Sequence, residues 1–165
     1  MVVVAIIGIL SAVAIPNFRT YQAKSKASEA RIQLTAVYQA ATSLYNDYDT
    51  YASCLTWAGF ETPTNNYYAV GFGADNTGRN ADVRTAAGSA GACPNGQFSF
   101  NATREVANAL VAATSLTAAN AVAATGISFT AEALGIISKD RRTPATADQW
   151  TITDTKAFAN PRRGY

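Results

Sequence analysis

The residues equipped for chemistry are few. Cys54 and Cys93 are the two cysteines of a 165-residue chain that contains no histidine. They can form a single bridge or stay as two buried thiols, but without imidazole they do not complete a tetrahedral zinc shell. The stretch Asp75-Asn76-Thr77-Gly78-Arg79-Asn80-Ala81-Asp82 is oxygen-rich in the manner of a calcium loop. Arg79 sits inside it, however, and no glutamate closes it. Asp47 and Asp49 are two positions apart, a spacing that does not place them on one helical face, so they read as turn residues. Ser11 lies in an apolar run with no general base to activate it. Tyr38, Tyr45, Tyr48 and Tyr51 invite a charge-transport reading, but their spacing is that of a stripe facing a core. Lys139, Asp140, Arg141 and Arg142 read as a solvated turn; Arg162-Arg163 can contact a neighbouring subunit or an anionic surface, but read more simply as a solvated tail. These residues assign no catalytic group, no cofactor and no metal. The net charge of +2 is too small to argue for nucleic-acid binding.

The elements around them are more informative. MVVVAIIGILSAVAIP, residues 1–16, is an almost unbroken apolar run; the first charge is Arg19 and the first acid Glu29. Such a run has no core of its own to enter. It can be a transmembrane helix, although Met1 to Ile15 spans roughly 22 Å against a hydrocarbon core of ~30 Å. It can be a signal peptide cleaved after Ala12-Val13-Ala14, but the charged n-region is missing. Or it can be the end of a membrane helix that begins upstream. Asn17 to Tyr48 contains no glycine and no proline. Ala27, Ala30, Leu34, Val37, Tyr38, Ala41, Leu44, Tyr45 and Tyr48 recur there at three-and-four spacing, with Arg19, Lys24, Lys26, Glu29, Arg31, Gln33 and Gln39 mostly elsewhere. The pattern predicts one helix from residue 1 to 48, roughly 72 Å long, broken or kinked only between Gly8 and Pro16.

Beyond Tyr48 the texture changes. Residues 49–66 read as a connecting loop. Tyr67–Gly73, Gln97–Asn101, Ile127–Ile137 and Trp150–Lys156 read as four strands, with Gly135 as a candidate bulge and with Trp150 and Ile152 on one face. Residues 74–96 read as an irregular surface loop. For residues 102–126, alanine-rich, a helix over Arg104–Ala113 capped by Thr103 and a small-residue loop are equally compatible with the sequence. The strands need the amphipathic half of the long helix to cover them, because so small a sheet is not stable alone.

MVVVAIIGILSAVAIPNF followed by YQAKSKASEARIQL resembles the N-terminus of type IV pilins, in the order of its apolar residues and in Gly8, Pro16 and Asn17-Phe18. The stretch DQWTITDTKAFANP is similar to the closing strand of major pilins. In that family the processed protein begins with a methylated phenylalanine in a motif FTLIEL, whose glutamate serves assembly; the resemblance implies that these residues precede the equivalent of Met1. It also implies an α+β fold. A long N-terminal helix, residues 1–48, divides into an apolar half (1–16) and an amphipathic half (17–48). A small antiparallel β-sheet head, residues 49–165, packs on residues 23–48.

The implied function is structural. Val2, Val3, Val4, Ile6, Ile7, Gly8, Ile9, Leu10, Val13, Ile15 and Pro16 form the assembly helix of a homo-oligomeric helical fibre used for attachment and motility. That helix sits in the inner membrane before an ATP-powered pilus machinery extracts it. The segment between Gly8 and Pro16 is expected to lose helical structure in the fibre, Gly8 costing ~1 kcal/mol relative to alanine. The positive-inside rule assigns Arg19, Lys24 and Lys26 to the cytoplasmic side, whereas the resemblance places them outside, the family using a basic leader peptide. In an exported protein the pair Cys54 and Cys93 suggests a bridge, contributing roughly 4 kcal/mol. Pseudopilins of type II secretion share the N-terminal segment, but tend to have a smaller head and a calcium site. A membrane-anchored periplasmic binding module is the alternative of a different class.

Overall fold

The computed structural model describes residues 1–87, 93 and 97–165. One α-helix, α1, runs from Val2 to Tyr48, 47 residues without a break, and contains Pro16. In the single subunit no break occurs between Gly8 and Pro16. Thr20 Oγ1 donates to the Pro16 carbonyl at 3.2 Å one turn on. The helix ends at Asp49, whose backbone is left-handed (φ 52) and whose N–H closes on the Tyr45 carbonyl at 2.8 Å. Aspartate tolerates that conformation better than most residues.

The buried stripe of α1 reads Ala23, Ala27, Ala30, Leu34, Val37, Ala41 and Leu44, alternating steps of four and three. Alanines make up its lower part, and Leu34 and Val37 its middle. Gln33 is buried too, contrary to its expected place on the polar face; its Nε2 donates to Glu29 Oε1 at 2.9 Å.

The sheet has five antiparallel strands: β1 (Tyr68–Gly71), β2 (Ser99–Phe100), β3 (Thr130–Gly135), β4 (Asp148–Thr153) and β5 (Phe158–Arg162), in the spatial order β2-β1-β3-β4-β5. Four of these lie within the expected segments or overlap them. The fifth was not anticipated, because Pro161 interrupts its alternation; as the edge strand it can carry a proline. α1 packs across β1, β3 and β4. Alternation sorts the faces. Val70, Ala133 and Ile152 join the cluster beneath α1, whereas Ala69 and Leu134 join Ala102, Val106, Val111 and Leu116 on the other face.

The segment 102–126 is thus a cover for the second sheet face, not an α-helix. It contains an isolated bridge between Val106 and Ala109 and one short 3₁₀ turn, Ala113–Ser115. Thr103 caps nothing; its hydroxyl bonds Asn66 Oδ1 at 2.6 Å. Glu132, fully buried in β3, fastens the cover by accepting from Thr117 N at 2.8 Å and Asn120 Nδ2 at 2.7 Å.

The expected loop 74–96 holds a second helix, α2 (Thr77–Ala86), which begins where Asn76 Oδ1 accepts the Arg79 N–H at 3.1 Å. Val83 seats it against Leu44 and Ala52. The later part of that loop lies outside the described residues, apart from Cys93. Gly135 forms no bulge. The irregularity lies between Gln149 and Thr151, where β4 meets β5.

Candidate functional site

The candidate site is the surface that the head leaves bare. Val2, Val3, Val4, Ile6, Ile7, Ile9, Leu10, Val13 and Ile15 are between 51% and 74% exposed. At Gly8 an added Cβ would meet nothing within 4 Å. A window of α1 with mean hydropathy 2.0 has none of its residues buried, so the helix is long and apolar enough to cross a membrane. Isolated apolar side chains on a surface are ordinary, but a contiguous apolar rod on this scale needs a partner. The buried stripe begins only at Ala23. One helix therefore serves two environments: its upper half is part of the core of the head, and its lower half has no contact among the described residues that would remove it from water.

The other residues singled out in the sequence are structural. Cys54 and Cys93 form a disulfide, with Cα atoms 5.8 Å apart. Beside it, Asn80 of α2 accepts the N–H groups of Ser53 at 3.0 Å and Cys54 at 3.1 Å through one oxygen. Asp75 accepts from Ser53 Oγ and from Asn80 Nδ2 at 2.7 Å, while Asp82 pairs with Arg79 at 2.9 Å. The oxygen-rich stretch thus ties α2 to the disulfide. No group of three or more Cys, Asp and Glu that could hold a metal occurs among the described residues.

The tyrosine series is an aromatic column. Tyr45 stacks on Tyr51 at 4.5 Å, Tyr51 meets Phe129 edge-on at 4.8 Å, and Tyr38 and Phe72 flank Phe129 at 6.2 and 5.9 Å. Burial, then Asp154, raises the Tyr51 hydroxyl above its ordinary range. Tyr48 lies apart, against the cluster of Leu44, Ala52 and Val83. Arg162 is half-buried and fastened, whereas Arg163 is exposed. The Arg162 guanidinium donates to the Ala147 carbonyl at 2.9 Å and the Ala145 carbonyl at 2.8 Å, locking the edge strand to the turn before β4.

Sequence reasoning missed the buried carboxylate Asp148, which accepts from Tyr68 Oη at 2.7 Å, Trp150 Nε1 at 2.6 Å and Gly164 N at 2.8 Å. It precedes the strand residues that drew attention, and no local pattern marks an aspartate as buried.

The architecture is an α+β head carried on one long helix whose first half is uncovered. No protein-family model matches the chain. It is 44% identical over 87 residues to the Type IV major pilin protein PilA of Myxococcus xanthus (strain DK1622). That stretch covers 53% of this chain and 39% of the relative, so the chain matches about two-fifths of the relative's length. Over that stretch the chain is a pilin homologue.

Proposed function

We propose that this chain is the structural subunit of a type IV pilus, with no catalytic role. The observation that carries the reading is the bare apolar half of α1, joined without a break to a helix face that is fully used by the head. The likeness to a major pilin supports it. Before assembly, residues 1–16 lie in the inner membrane. In the fibre, Val2, Val3, Val4, Ile6, Ile7, Ile9, Leu10, Val13 and Ile15 pack against the same segment of neighbouring subunits, and the heads, residues 49–165 on the upper half of α1, form the outer surface. Moving the helix from lipid to a helix bundle gains little, since both are apolar. The pilus machinery therefore drives extraction. Gly8 and Pro16 bracket the stretch where the helix gives way as the fibre forms.

The test is a charge in the bundle. Ile7→Asp or Leu10→Asp buries a carboxylate among apolar side chains at a cost of several kcal/mol per subunit. Cells producing either variant are expected to show no surface fibres by electron microscopy, although the subunit accumulates with its disulfide formed. Normal fibres from both variants would remove the helix-bundle reading and favour a membrane-anchored binding module.

A further inference from the structure

Directly above the bare segment, the head overhangs the helix. A groove of about 250 Å³ opens between α1 and the underside of the head, lined among others by Arg19, Lys26, Val106, Ile137, Lys139 and Tyr165. Positive charge collects here from separate parts of the chain. Lys26 and Arg104 both stand over the ring of Tyr67, at 4.8 and 4.5 Å. Lys24 stands over the ring of Tyr165 at 5.9 Å. Burial, then the charges of Arg104 and Lys139, pulls the Lys26 ammonium below its ordinary value, as expected where cations crowd one another.

Two acids are near. Asp140 lines the groove, and Glu29 lies beside Arg104 but is engaged by the Tyr67 N–H at 2.7 Å and Gln33 Nε2 at 2.9 Å. Among the described residues, no cation of the groove forms an ion pair. Neither acid pairs with a cation of the groove, so among the described residues the crowding is only partly offset.

The level of the groove along α1 points to what offsets it. Arg19 is the first charge after the apolar run. Phe18 and Tyr21, next to it, are 63% and 68% exposed. Exposed aromatics followed by cations mark the interfacial zone of a bilayer, where rings sit among headgroups and Lys/Arg meet lipid phosphate. With the apolar half of α1 in the hydrocarbon, the groove opens at headgroup height.

We propose that this groove binds the phosphate of an anionic phospholipid headgroup and seats the head on the membrane before assembly, with Lys26, Lys139 and Arg19 as the ligating cations and Arg104 adding its charge beside Lys26. The inference rests on the membrane-anchored stage of the function proposed above. It adds a lipid preference and a fixed seating of the head.

The experiment uses the full chain in neutral detergent. Short-chain phosphatidylglycerol, phosphatidylcholine and inorganic phosphate are titrated separately, with the amide resonances of Lys26 and Lys139 as readout. Phosphatidylglycerol is expected to bind about tenfold tighter than phosphatidylcholine, and each neutralised cation to weaken it about fivefold. The double variant Lys26→Gln/Lys139→Gln should therefore lose most of the preference, and Lys156→Gln, over the ring of Tyr38, none. Added salt should weaken phosphatidylglycerol binding by the unmodified chain, an arm that needs no substitution.

Equal binding of the two lipids, or an unchanged double variant, overturns the proposal. Inorganic phosphate binding as tightly as the lipid makes this a simple anion site and overturns it as well. A double variant that keeps the lipid preference but loses fibres assigns the cations to a neighbouring subunit. If Ile7→Asp assembles normally, the fibre reading fails by itself. If the lipids bind alike while Ile7→Asp abolishes fibres, only the headgroup site fails.

Discussion

Tyr68 and Asp148 are joined by a 2.7 Å hydrogen bond that crosses a whole strand. Tyr68 is in register with Gly135, and Gly135 with Asp148, so the three stand in one row across β1, β3 and β4. The phenol reaches the carboxylate over the place where Gly135 has no side chain. A Cβ there would come within 2.6 Å of the Tyr68 ring. Burial, then Asp148, keeps the Tyr68 hydroxyl protonated far beyond its ordinary range.

Gly135→Ala is expected to destabilise the head by about 1–3 kcal/mol, because the ring must move and stretch its bond to Asp148. Tyr68→Phe, which removes only the hydroxyl, is expected to cost about 1–3 kcal/mol by depriving a buried carboxylate of a donor. Denaturant titration of both single variants and the double variant checks the coupling. The double should cost less than the sum of the singles.

Removing the disulfide by Cys54→Ser with Cys93→Ser is expected to lower stability by roughly 4 kcal/mol. Alkylation followed by mass measurement should label neither thiol before reduction and both after it. Labelling of the unreduced protein would contradict the bridge.

Glu29 titrates above its ordinary 4.5, chiefly because of burial, although the Tyr67 N–H and Gln33 oppose the shift. The folded state therefore holds this proton more tightly than the unfolded state, and ionisation of Glu29 works against folding. Its contribution is absent below about pH 4.5, grows as pH rises through the folded titration, and is constant above it. Glu29→Gln should flatten that part of the stability profile and leave neutral-pH stability equal or higher. Thermal melts of both proteins from acidic to neutral pH measure it.

A fragment beginning near Ala23 should remain folded and monomeric without detergent, since the buried stripe of α1 starts there. The full chain should need detergent or lipid. Circular dichroism and sedimentation of the two in parallel test the division of labour along the helix. A molten or aggregated fragment would mean that the apolar half also supports the head.

The long helix was readable because its two signals, an apolar run and a stripe of regular spacing, both extend over many residues. The first four strands were readable, the second and fourth from their alternation and the first from the β-formers at its start. What escaped has physical reasons. α2 buries little more than Val83 and Asn80, so its periodicity is too thin to register, and Asn76 alone announces it. β5 contains Pro161, which argues against a strand anywhere but at an edge. Gly135 suggested a bulge because its neighbour across the strand, Tyr68, is far away in sequence. The carboxylates of Glu132 and Asp148 resemble surface residues until their donors are assembled around them. The apolar segment was visible at once, because its run of apolar residues is almost unbroken over sixteen positions.

The disulfide also has a mechanical meaning. If the fibre proposed above carries load along α1, that load enters the head through a stripe parallel to the pull, so Ala23 to Leu44 resist in shear and share the force. If that stripe yields, residues 54–93 add no slack, because Cys54 is tied to Cys93 across a sequence separation of 39 residues. Roughly 130 Å of hidden contour length stays locked behind that bond. Under tension the subunit can then lose packing without giving up that part of its length, and on release the segment has less distance to travel back.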